Sequence, residues 1–151
     1  GQEGGLRPGT EPTAQTAAFA AAARLGIASM ERDVSHMEQL RTYAVQQLAE
    51  QVPGLKVLVP QGVPHILPVT LPGYKSEVVV RLLGDRGICL SSGSACHRGK
   101  PSHVFAALHL PKAERDGALR ISFSYDTTRT DVDALVQGLK EATQQLFPSM
   151  S

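Results

Sequence analysis

The sequence predicts an α+β fold: a small antiparallel or mixed sheet packed against helices, with a long helix near the N-terminus. Three observations carry this expectation. Residues 13 to 52 are rich in Ala, Gln, Glu, Leu and Arg, all good helix formers. Short apolar runs punctuated by Pro and Gly, at 55–59, 65–71 and 118–124, read as strands. The two kinds of element mix without the regular strand–helix–strand alternation that builds a parallel sheet. A length of 151 residues suits one compact domain, or a little more than half of a larger one.

Taken in order, residues 1–12 hold four Gly and two Pro and resist regular structure. In the alanine-rich stretch that follows, Met30, Val34, Met37, Leu40, Ala44 and Leu48 recur at three- and four-residue spacing and bury one face. Gly26 weakens the middle, where Ser29 with Asp33 nearby can start a second helix. Pro53-Gly54 stops the helix, and the period changes to that of strands. Pro68, inside the second strand, fits best on a sheet edge or at a bulge. Ser76 can cap a helix over residues 77–85, with Val78, Val79, Leu82 and Leu83 covering one side. Gly87 ends that helix, and Ile88-Cys89-Leu90 reads as a short buried strand. A short helix is expected over residues 103–108 and a third main strand over 118–124. Thr130 caps the last helix, with Asp133 three residues on as an acidic variant of the capping box. Its apolar stripe runs Val132, Leu135, Val136, Leu139, Ala142, Leu146.

Composition excludes several classes. A net charge of +1 gives no global reason to bind nucleic acid or an anionic membrane. A hydrophobic content of 42% is too high for a disordered chain, and no run of 18 apolar residues offers a membrane-spanning helix. No basic region followed by an apolar run marks a signal peptide, and the missing initiator Met predicts a piece of a longer protein. With 5% aromatics and no Trp the core must be mostly aliphatic. Two cysteines are too few for a disulfide scaffold and point to a reducing, cytoplasmic home.

Cys96 is the residue best placed for chemistry. Five small residues, Ser91-Ser92-Gly93-Ser94-Ala95, precede it and cannot form a core. Residues 86–113 contain no Asp or Glu, while Arg86, Arg98, Lys100 and Lys112 bring four positive charges and His97, His103 and His109 share the window. Such surroundings favour thiolate, the nucleophilic form. The alternative is a free thiol in a surface loop. Cys89, in an apolar run, reads as an inert core residue. Cys96, His97, His103 and His109 lack a familiar zinc spacing, so no metal site is expected. Arg120, between Leu119 and Ile121, is costly in an apolar strand unless paired or bound to a ligand, and its guanidinium can grip a carboxylate with two hydrogen bonds. Alternatively, strand alternation simply points it to solvent. The Arg7-Pro8-Gly9-Thr10 turn ahead of a helix offers N–H groups and a hydroxyl to an anion.

Four segments together resemble the pyridoxal-phosphate-dependent cysteine desulfurases of the aminotransferase class V family. Gly1-Gln2-Glu3 through Leu6-Arg7-Pro8-Gly9-Thr10-Glu11 is similar to their GGQE-x-GLRxGTE segment. Ser91 through Cys96 resembles the SSGSAC loop of class I, the iron–sulfur-assembly and nitrogen-fixation type. Leu119-Arg120-Ile121-Ser122 resembles the LRxS strand, and Thr127-Thr128 with Asp131-Val132-Asp133 resembles the start of the last helix. Gly4 and Tyr125-Asp126 depart from the family pattern.

The resemblance implies the C-terminal domain of a fold-type I pyridoxal-phosphate enzyme. Residues 1–25 would lead from the cofactor-binding large domain, and residues 26–151 would form the C-terminal small domain. Cys96 would take the sulfur of L-cysteine as a persulfide, releasing L-alanine. Arg120 would bind the substrate carboxylate, and Thr10 would donate to the pyridoxal 5'-phosphate of the neighbouring subunit of a homodimer. A sulfur acceptor or iron–sulfur scaffold protein would be the partner. None of Lys56, Lys75, Lys100, Lys112 and Lys140 follows a His as the family's cofactor lysine does, so this piece alone is expected to be inactive and to hold no cofactor. The alternatives are a selenocysteine lyase and, from another class, a stand-alone sulfur-carrier domain working without the cofactor.

Overall fold

The computed structural model describes residues 2–6, 8–92 and 103–148. The chain divides into two compact units, residues 1–33 and 34–151. In the first, a kinked 3-10 turn (Gln2–Gly5) precedes the start of helix α1, which runs Thr13–Gln51 without interruption. The second helix start expected near Ser29 does not exist: a single Gly costs a helix only about 1 kcal/mol, too little to break one otherwise built from Ala and Leu. Phe19, Leu25, Ile27 and Met30 are exposed on this part of α1.

The second unit is the α+β layer predicted. Strands β1 (Lys56–Val57), β2 (Ile66–Thr70) and β3 (Ala118–Ser122) form one antiparallel sheet in that order. Helix α2 spans Ser76–Gly84, α3 His103–Ala107, α4 Lys112–Asp116 and α5 Arg129–Gln145. Leu67 and Val69 of β2 face the helices with Leu119 and Ile121 of β3, and close on Leu48 of α1, Leu83 of α2 and Leu139 of α5. The register pairs Leu67 with Ile121 and Val69 with Leu119, so the period of two puts Pro68 and Arg120 together on the opposite face. The large side chains most fully enclosed are Leu and Val, with Thr70 beside them, the aliphatic core expected of a chain this poor in aromatics.

Four local expectations are corrected. Pro68 sits in the central strand, not at an edge. Its carbonyl accepts from the Leu58 N–H at 3.0 Å, so its backbone faces β1, and the return bond that its missing N–H would make falls where β1 has already ended. The cap of α5 is Thr128, not Thr130. Thr128 Oγ1 accepts from the Asp131 N–H, and Asp131 Oδ2 accepts from the Thr128 N–H at 2.8 Å. Two overlapping Thr-x-x-Asp frames compete here; Asp133, of the other frame, accepts instead from the Tyr43 hydroxyl at 2.6 Å. Ser76 is the first residue of α2 rather than its cap, and Lys75 precedes it with no side-chain cap. Finally, residues 88–90 form no strand and Cys89 is exposed: Ile88 and Leu90 turn toward the core, leaving the residue between them outside.

Helix α4 carries too weak a pattern to read in advance, and tertiary bonds hold it. Thr70 Oγ1 donates to the Glu114 carbonyl at 2.6 Å, while Lys56 pairs with Glu114 at 2.8 Å and Lys75 with Asp116 at 2.7 Å.

Candidate functional site

Arg120 lies at the middle of β3, half-buried, on the sheet face away from the helical core. Alternation therefore does take it out of the core, but not into open solvent. Its backbone faces Ser91: the Arg120 N–H donates to the Ser91 carbonyl at 2.7 Å, and the Ser91 N–H donates to the Arg120 carbonyl at 3.3 Å. The Arg120 Nη2 donates to Ser91 Oγ at 3.2 Å. Pro68 stands opposite Arg120 on β2. Because the backbone groups of Pro68 face β1 and those of Arg120 face Ser91, the two form a non-hydrogen-bonded pair, the closer kind in an antiparallel ladder.

The Arg120 Nε is buried and, among the described residues, has no hydrogen-bond partner. A buried donor left so costs about 1–3 kcal/mol, which marks a position where a further acceptor would be welcome. Arg41 Nε shares this condition, but the rest of that guanidinium is committed to structure. Arg41 donates to the carbonyls of Val59 at 2.6 Å and Pro60 at 3.2 Å and so ties α1 to the turn after β1.

Thr10 belongs to the N-terminal unit, exposed, after Gly9 (φ 122) and three residues ahead of α1. Ser91 and Ser92 are described, whereas Cys96 and His97 lie outside the described residues, as does Arg7. His109 is exposed with a left-handed backbone (φ 50). Among the described residues no three His, Cys, Asp or Glu side chains gather as metal ligands would.

Sequence reasoning passed over a second polar cluster. The Tyr43 hydroxyl donates to Asp133 while the Arg129 guanidinium lies 5.0 Å from the Tyr43 ring centre, and the bond to Asp133 raises the Tyr43 pKa above its ordinary value. His36 Nε2 donates to the Thr127 carbonyl at 2.8 Å just ahead of α5. Both contacts join residues about ninety positions apart, a pairing no local pattern signals.

The comparisons with known proteins converge on one family. The model of the aminotransferase class-V family matches residues 1–135. A cysteine desulfurase of Trichormus azollae is 32% identical over an alignment of 149 residues that covers 96% of this chain and 37% of that protein. A selenocysteine lyase of Homo sapiens is 33% identical over 160 residues, covering 97% of this chain and 35% of that protein. Among solved structures, a NifS-like protein superposes with a TM-score of 0.81 at 28% identity, over 97% of this chain and 37% of its own. The cysteine desulfurase CsdA from Escherichia coli gives a TM-score of 0.59 at 31% identity, over 76% and 26%. The chain thus spans little more than a third of the length of these curated relatives. The family match spans Thr10, Ser91 and Arg120, and the small sheet with its long leading helix matches part of the fold of a NifS-like protein; the chain belongs to the aminotransferase class V family.

Proposed function

We propose that the chain is the C-terminal part of a cysteine desulfurase, in which residues 1–25 lead from a cofactor-binding domain and residues 26–151 form the small domain. The observation that carries this reading is Arg120: a half-buried guanidinium whose buried Nε has no partner among the described residues, next to the residue from which the Ser-Ser-Gly-Ser-Ala-Cys segment begins. A planar cation so placed suits a carboxylate, which takes two parallel N–H bonds. Cys96 follows Ser91 by five positions, a tether of at most about 18 Å, so a thiol at Cys96 is within covalent reach of a substrate held at Arg120. In this reading the Cys96 thiol takes the substrate's sulfur: the Cβ–S bond of L-cysteine breaks, an S–S bond forms, and the products are a persulfide on Cys96 and L-alanine. A sulfur acceptor or iron–sulfur scaffold then receives that sulfur.

The residue type and place of Thr10 fit the phosphate of pyridoxal 5'-phosphate: an exposed threonine ahead of the positive end of a 39-residue helix. When bound, that cofactor withdraws electrons from the carbons of the amino acid substrate. Lys56 and Lys75 are engaged in ion pairs with Glu114 and Asp116, and the amine that would hold the cofactor's aldehyde is assigned to the remainder of the protein. The reading places Thr10 against the cofactor of the neighbouring subunit in a homodimer and the protein in the cytoplasm. No helix among the described residues is long and apolar enough to cross a membrane.

The test is Arg120→Ala in the full-length protein. A charge-assisted two-point contact is worth about 2–4 kcal/mol, so kcat/KM for L-cysteine is expected to fall roughly 30- to 1000-fold while bound cofactor, read by its absorbance, is retained. Arg120→Lys recovers only part, because an ammonium lacks the planar fork. An alanine variant within twofold of wild type rejects the reading. Cys96→Ser should abolish persulfide formation. The 33% identity to a human selenocysteine lyase supports a second reading, in which selenocysteine is the substrate; kcat/KM for the two amino acids, measured side by side, separates them.

A further inference from the structure

An arginine on a strand face carries four rotatable side-chain bonds, and only a few of its orientations present two donors to one carboxylate. Binding of a carboxylate is therefore weakened by whatever fraction of time the guanidinium spends elsewhere, unless the protein selects the productive orientation beforehand. Arg120 is selected in this way. Three bonds join it to Ser91: the Arg120 N–H to the Ser91 carbonyl at 2.7 Å, the Ser91 N–H to the Arg120 carbonyl at 3.3 Å, and Nη2 to Ser91 Oγ at 3.2 Å. The two backbone bonds fix the point from which the hydroxyl projects, and the bond between the hydroxyl and Nη2 then ties the guanidinium to that point. On the other flank is Pro68, the partner of Arg120 in the ladder, whose ring has no rotamer to move out of the way.

We infer that Ser91 is a positioning residue: its hydroxyl holds the Arg120 guanidinium in the orientation that receives the substrate carboxylate, without touching the substrate itself. This rests on the reading of Arg120 as the carboxylate-binding residue. The chemistry of the hydroxyl explains why a Ser serves here. A neutral acceptor orients the guanidinium and leaves its charge unspent, and among the described residues Nε has no partner. A carboxylate at position 91 would orient Arg120 equally well but would compete with the substrate for the same charge.

The experiment uses the full-length, cofactor-loaded protein, with L-cysteine as substrate and the product L-alanine as competitive inhibitor. Ser91→Ala is expected to raise KM for L-cysteine and Ki for L-alanine together, roughly 3- to 10-fold, the loss of one hydrogen bond to a charged group acting indirectly. The kcat at saturating cysteine should change less than KM. Ser91→Thr, which keeps the hydroxyl, should stay within about twofold of wild type, and Ser91→Asp should be the most impaired of the three. Added to Arg120→Ala, the Ser91→Ala change should have no further effect on Ki, because Ser91 acts only through Arg120. The backbone bridge is untouched by these changes, and retained cofactor absorbance reports a folded protein. Additive losses on the Arg120→Ala background, or a Ser91→Ala protein with wild-type KM and Ki beside an impaired Arg120→Ala protein, overturn this inference alone. An Arg120→Ala protein with wild-type KM overturns the reading of Arg120 and this inference with it.

Discussion

Gly117 and Leu71 meet backbone against backbone at the end of the β2–β3 ladder: the Leu71 N–H donates to the Gly117 carbonyl at 3.1 Å, and a Cβ added to Gly117 would overlap the Leu71 carbonyl oxygen and stand 2.7 Å from its carbon. The Tyr74 carbonyl oxygen would be only 3.1 Å away on the same side. Backbone on both sides cannot yield as a side-chain tip can. Gly117→Ala is therefore expected to destabilise by about 2–4 kcal/mol, read as a lower denaturation midpoint with unchanged slope. An unchanged midpoint would show that the approach is looser than described.

Gly138 presents the milder version of the same question. It lies inside α5, where Ala is intrinsically favoured by about 1 kcal/mol, yet a Cβ would stand 2.8 Å from Ile88 Cδ1. Overpacking of this size outweighs the propensity gain, so Gly138→Ala alone should destabilise by about 1 kcal/mol. Ile88→Val removes the offending methyl. In that background Gly138→Ala should become neutral or stabilising, a change of sign that a double-mutant cycle measures directly.

The capping box of α5 couples stability to acid. Asp131 has its pKa lowered, first by the Thr128 backbone N–H and then by the Thr128 hydroxyl, both of which bond its ionised form. A depressed carboxyl contributes stability that is present above its unfolded pKa, ordinarily about 3.9, and lost as pH falls through the lower folded value. Lys75 lowers Asp116 in the same sense, and Gln137 followed by Arg86 lowers Glu141, so acid should weaken all three. Asp131→Asn is expected to be less stable than wild type at neutral pH, with the gap closing as pH drops below 4. Thr128→Ala should cost about 1 kcal/mol at neutral pH, whereas Thr130→Ala should cost much less.

Exposure of Cys89 changes what thiol labelling will find. Iodoacetamide should modify Cys89 in the folded protein at a rate within a few-fold of that in denatured protein, even when Cys96 is replaced by Ser. Protection of Cys89 by a hundredfold or more would return it to the core.

Much of this protein is written in local pattern. The leading helix, the three strands within two residues of their expected ends, the helix after Lys75 and the amphipathic α5 all follow from periodicity and from Pro and Gly punctuation, which act over a few residues. The Ser-Ser-Gly-Ser-Ala-Cys run, Arg120 and Thr10 were likewise visible as residue types in suggestive company. Tertiary structure decided what depends on pairs distant in sequence. Arg120 reads as solvent-facing or ligand-facing until Ser91, 29 residues away, takes its Nη2 and leaves Nε buried with no partner among the described residues. Pro68 looks like an edge residue until β1 is seen to stop one position short of it. Thr128 and Thr130 offer equivalent frames until Tyr43, 90 residues from Asp133, engages one of them. In each case the local energies are nearly balanced, and a hydrogen bond brought in by the fold, worth about 1 kcal/mol, is enough to choose.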